Sequence, residues 1–76
     1  MNPQVIAESI LPDEEYLELL VQRRLGSRVR DLRIVIRPNG IILQGRANTY
    51  HAKQLAQHAA MEMGHQPILA NDIEVY

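Results

Sequence analysis

Residues 32–47, LRIVIRPNGIILQGRA, constrain the fold of this chain more than any other stretch. Leu32, Ile34 and Ile36 alternate with Arg33, Val35 and Arg37, and Ile41, Leu43, Gly45 and Ala47 alternate with Ile42, Gln44 and Arg46. A period of two sends successive side chains to opposite faces of a strand, so each run predicts a strand with one buried face. Between them, Pro38 presets its own backbone angle and Gly40 accepts a left-handed one, which makes RPNG a turn. Pairing Ile36 with Ile41 leaves Arg37 to Gly40 as the connection. A slip of one residue would carry Ile42 inward in place of Ile41.

The flanking segments change period. From Pro12, Leu17, Leu20, Val21 and Leu25 recur at three- and four-residue steps and form the apolar stripe of a helix that Gly26 stops. Asp13, Glu14 and Glu15 suit the positive end of its dipole, and Arg23 and Arg24 the negative end. After the hairpin, Asn48 or Thr49 caps a second helix, whose Ala52, Leu55, Ala56, Ala59 and Met63 make a narrow stripe of mostly small residues ending at Gly64. The closing ILANDIEVY reads as a third strand with Leu69, Asn71, Ile73 and Val75 on one side. The order α-β-β-α-β predicts an α+β two-layer sandwich: a three-stranded mixed sheet with both helices on one face. A right-handed crossover from the second strand to the third is expected to leave the first strand between them.

Size and composition narrow the options further. Residues 1–11 contain Pro3 and show no sustained period, so they read as a flexible N-terminal arm, with 12–76 as a single domain. A chain of 76 residues without Phe, Trp or Cys must fill its interior with aliphatic side chains and has no disulfide staple. Small domains without staples often gain stability by pairing with copies of themselves, so a homo-oligomer is compatible with this chain. The opening lacks the basic start and apolar run of a secretion signal, which predicts a cytoplasmic location for the chain as it stands. A fragment of an exported, periplasmic protein would look the same. No segment approaches the roughly 20 apolar residues of a membrane span, so no transmembrane segment is expected.

Charge is segregated along the chain although the net is −1. Glu8, Asp13, Glu14, Glu15 and Glu18 precede the first base; seven arginines and Lys53 against Asp31 fill the middle; Glu62, Asp72 and Glu74 close the chain. A nucleic-acid binder presents a basic stripe that the rest of the molecule leaves uncancelled, and here acidic flanks can fold over the basic middle. In the layout above, Arg33, Gln44 and Arg46 share the outer sheet face with Asp72, Glu74 and Tyr76, where cross-strand ion pairing is the plain explanation for the arginines.

Catalytic and metal chemistry find little support. His51, His58 and His65 recur every seven residues, but on a helix that spacing is a rise of about 10.5 Å, too far for two imidazoles to share one ion. Neither Ser9 nor Ser27 sits in a nucleophile-elbow context, and no glycine spacing matches a phosphate loop. Clustered strand aromatics that could stack bases are missing. The expectation is a non-enzyme without metal or cofactor, and nucleic acid is an unlikely partner.

Residues 32–76 resemble the BON domain, a short module of bacterial envelope and osmotic-stress proteins. The resemblance rests on Ile34 and Ile36; Asn39 and Gly40; Ile41, Leu43, Gly45 and Ala47; Ala52, Ala56 and Ala59; Gly64; and Leu69, Asn71, Ile73 and Val75. Gly40 falls one position later than the family's turn glycine, and HQPIL replaces the family's approach to the last strand. The resemblance implies a non-catalytic module that binds anionic phospholipid or membrane surfaces, or alternatively one that mediates protein–protein interaction or self-association. For an anionic surface the candidate contacts are Arg28, Arg30 and Arg46, expected to gather where the first strand begins and the second ends. For a protein partner the candidate face is Val35, Ile42 and Tyr76.

Overall fold

A computed structural model of the chain describes residues 13–76. The N-terminal arm and Pro12 lie outside the described residues. Helix α1 (Glu14–Leu25) and a short 3-10 turn (Gly26–Arg28) lead into strands β1 (Val29–Arg37) and β2 (Gly40–Ala47), helix α2 (Tyr50–Gly64) and strand β3 (Ile68–Val75). The α+β two-layer sandwich is therefore the observed fold.

Local chemistry sets the ends of each element. Asp13 is the N-cap of α1, its carboxylate accepting the Tyr16 N–H at 2.8 Å. Thr49, rather than Asn48, caps α2 by accepting the Ala52 N–H at 3.0 Å. The left-handed residue that closes α2 is His65 (φ 56°, ψ 32°), and Gly64 is still helical. Glycine at 64 serves packing: a Cβ there would lie 2.7 Å from Ile41 Cδ1 and 3.1 Å from Leu17 Cδ2, where α2, α1 and β2 converge. Gln22 fastens the α1–β1 connection by donating to the carbonyls of Gly26 and Val29.

The hairpin has the expected register. Ile36 pairs with Ile41, and Arg37 pairs with Gly40, so the ladder runs one pair further than expected and Pro38–Asn39 alone turn the chain. Sheet order corrects the expectation: it is β1-β2-β3, with β2 in the centre, antiparallel to β1 and parallel to β3. Handedness fixes the side on which a crossover helix lies but does not require a strand to sit between the two it connects. With only short links at either end of α2, β3 docks directly beside β2.

Leu17, Val21 and Leu25 of α1 and Ala52, Ala56, Ala59 and Ala60 of α2 are buried against Val29, Leu32, Ile34, Ile41, Leu43, Ala47 and Ile73 of the sheet. Small residues on α2 let that helix sit close to the strands. Ile36 and Ile68 pack against this core while partly exposed. Two expectations for β3 are corrected. A register shift between Ile41 and Ile42 turns Ile68 rather than Leu69 onto the core and leaves Leu69 44% exposed. Val75, at the end of an edge strand with a neighbour on one side only, stays 46% exposed.

Helix α2 and strand β3 are tied by the side chain of Asn71. Asn71 donates to the Lys53 carbonyl at 3.1 Å and to Gln57 Oε1 at 3.2 Å, while its own oxygen accepts the Ile73 N–H at 3.3 Å. An amide satisfies both strand and helix here; an aliphatic residue would leave the α2 side unpaired.

Candidate docking surface

Among the described residues, one face of the sheet lies under the helices and the other is free. On the free face the two registers combine into three rows across the strands: Val35–Ile42–Ala70, then Arg33–Gln44–Asp72, then Arg30–Arg46–Glu74. The first row is partly buried and the charged residues of the other two are exposed. Tyr76 lies one step beyond the third row, and its N–H donates to the Ala47 carbonyl at 3.0 Å.

Strand order decides how these charges meet. With β2 in the centre, Gln44 separates Arg33 from Asp72, so these opposite charges are not neighbours. Arg46 is the register neighbour of Glu74, yet its guanidinium carbon lies 5.1 Å over the centroid of the Tyr76 ring, a cation–π placement. Among the described residues the one ion pair is Arg24 with Glu62, which links the two helices. Cross-strand ion pairing therefore does not account for Arg30, Arg33 or Arg46.

The three candidate anion contacts are brought together only in part. Arg30 and Arg46 are direct cross-strand partners at the open end of the hairpin. Arg28 precedes the strand and folds back on α1, its Nε donating to the Leu25 carbonyl at 3.0 Å and its terminal nitrogen to the Arg24 carbonyl at 3.2 Å. It is chiefly a C-terminal cap for the helix. Val35 and Ile42 of the expected apolar face are also register partners, joined by Ala70. Tyr76 is not part of that patch: six residues separate it from Ala70 along β3, roughly 20 Å at about 3.3 Å each.

Between Arg30 and Arg33 the ladder is irregular. Asp31 and Leu32 together oppose Gly45, and Asp31 takes the left-handed region (φ 55°). This bulge allows Val29 and Leu32, three residues apart, both to point inward.

The two sheet edges are treated differently. The Ile34 N–H, turned away from β2, donates to Glu18 Oε2 at 2.9 Å, and the Ile36 N–H donates to Glu14 Oε2 at 2.8 Å. Two carboxylates one helical turn apart thus close the β1 edge, which would otherwise offer a template to a further strand. The sequence pattern assigned Glu14 to the helix dipole and gave Glu18 no role, so this function was missed. The available signal was that Glu14 and Glu18 border the Leu17–Val21–Leu25 stripe at a four-residue spacing. Glu18→Ala is expected to lower stability by about 1–2 kcal/mol, and E14A/E18A together to hasten aggregation on heating. Denaturant melts and light scattering check this, and an unchanged aggregation rate would mean that the carboxylates do not guard the edge.

On the helix side, Tyr50, Lys53, Gln54, Gln57, His58 and Asn71 line a cleft of about 250 Å³ between α2 and β3. His51 and His58 are exposed on α2, and among the described residues no three His, Asp or Glu side chains are grouped as metal ligands would be. No described helix is long and apolar enough to cross a membrane.

No family model, curated protein or solved structure matches the chain. The functional reading accordingly rests on the geometry of the free face and on the resemblance set out from the sequence.

Proposed function

We propose that the protein is a non-catalytic, BON-like binding module whose free sheet face takes anionic phospholipid surfaces through Arg30 and Arg46. The observation that carries this reading is their juxtaposition. Like charges directly opposite each other on neighbouring strands are destabilising, and among the described residues no carboxylate lies within ion-pair distance of either guanidinium. A domain with so small a core holds two arginines in this costly arrangement, which fits a surface that meets phosphate groups. Arg33 and Arg37 continue the positive charge along β1. Each base close to an anionic membrane contributes about 1 kcal/mol, and the attraction fades as salt screens it.

Sedimentation with phosphatidylglycerol-rich and with phosphatidylcholine vesicles at low salt tests the reading. Binding to the first alone, lost at high salt, is expected; absence from both pellets defeats it. The Arg30→Thr variant separates function from stability. It should melt slightly higher, by about 0.2–1 kcal/mol, because the repulsion is relieved and threonine suits a strand. It should also bind anionic vesicles about fivefold more weakly. A variant that loses stability and keeps full binding would remove Arg30 from the site.

A further inference from the structure

The rows of the free face are self-complementary, which the strand order alone makes visible. We infer that two copies of the chain associate through this face, outer sheet against outer sheet, about a two-fold axis parallel to the strands and running along β2.

Such an axis keeps each row at its own level and exchanges the β1 side with the β3 side. Arg33 then meets Asp72 of the second copy, and Arg30 meets its Glu74. Val35 meets Ala70, and Ile42 meets Ile42 on the axis. Both arginine–carboxylate contacts occur twice by symmetry, and the apolar row is buried against itself. One contact is unfavourable: Arg46 meets Arg46 on the axis, each beside its own Glu74 and over its own Tyr76 ring. An axis perpendicular to the strands and centred on the middle row lays Arg33 on Arg33 and Arg30 on Val35, so only the strand-parallel axis pairs opposite charges.

Edge-to-edge growth is the competing arrangement, and the structure opposes it at both ends. Glu14 and Glu18 occupy the β1 edge. Two β3 strands paired antiparallel would bring Asp72 and Glu74 of both copies onto one short ridge. The face remains. Three strands about 4.8 Å apart and about 25 Å long present roughly 400 Å² per copy, half of the about 800 Å² typical of a stable interface. The dimer is therefore weak and has to be sought at high micromolar concentration.

Charge reversal tests the contact. Arg33 and Asp72 are exposed, so R33D and D72R keep the core intact, which circular dichroism verifies. In sedimentation velocity over a concentration series, wild type should show a reversible monomer–dimer equilibrium. Each variant alone should dimerise at least about fivefold more weakly, since like charges then face across the interface. Mixed together, R33D and D72R should form a heterodimer at least as tight as the wild-type dimer, and the double variant R33D/D72R should also recover association. A wild type that stays monomeric throughout, or a mixture no tighter than either variant alone, overturns the inference. It does not rest on the lipid reading. A monomer that pellets with anionic vesicles defeats self-association and spares lipid binding, while a dimer that ignores vesicles does the reverse.

Discussion

Replacing Gly45 with alanine is expected to cost about 3 kcal/mol or more, enough to unfold much of the population at ambient temperature. The glycine lies opposite the β1 bulge with φ at 150°, a region that side-chain-bearing residues avoid. A Cβ there would meet the Arg30 carbonyl oxygen at 3.0 Å, the Asp31 carbonyl oxygen at 3.3 Å and Leu32 Cα at 3.3 Å. All three are backbone atoms of a paired strand, so relief requires the bulge itself to move. That movement would return Val29 to the wrong face. Gly26→Ala is the control, because Gly26 also has positive φ (61°) but a Cβ there meets nothing within 4 Å. With ψ at −140° it lies outside the left-handed helical region, and alanine there should cost only the conformational term, about 1–3 kcal/mol. Denaturant melts of the two variants separate conformational strain from steric contact; equal losses would mean that close approach to the bulge is not what requires glycine at 45.

The same bulge marks where the sequence stopped being readable. Alternation in 32–37 and 41–47 gave the hairpin and its register, and three- and four-residue spacing gave both helices, because each pattern records a face buried against one layer. Upstream of Leu32 the alternation breaks at Asp31. Val29 was therefore not recognisable as the start of β1 and a core residue, although Gly45 in the facing strand was a signal. The strand order was mistaken for a related reason. Ile34, Val35 and Ile36 in β1 and Ile41, Ile42 and Leu43 in β2 are equal apolar runs, and each strand carries arginine on its outer face, so neither pattern tells the central strand from the edge. With β1 in the centre, the arginines of β1 would neighbour the acids of β3, and cross-strand pairing would account for them. The bulge puts Arg30 opposite Arg46, and the correct order puts Gln44 between Arg33 and Asp72. The self-complementary face depends on that order, and the Arg30–Arg46 pair depends on the bulge.

Leu43→Ala and Ile42→Ala, adjacent on one strand, should differ severalfold in effect. Leu43 is fully buried on the central strand of the sheet, and its truncation removes transfer free energy and leaves a cavity that the paired neighbours on either side cannot close. The expected loss is about 2–5 kcal/mol. A single core this small supplies about 3–5 kcal/mol in total, so the variant should be largely unfolded or melt at very low denaturant. Ile42 points the other way, partly covered by Val35 and Ala70, and its truncation should cost about 1 kcal/mol in the monomer. Its larger effect is expected at high protein concentration, where it lies on the proposed two-fold axis and its loss removes the centre of the apolar row. Chemical denaturation measured at low and at high concentration therefore reads the two faces of one strand independently. If Ile42→Ala proved the more damaging at low concentration, the strand would be seated one residue out of register, and every row described for the free face would have to be redrawn.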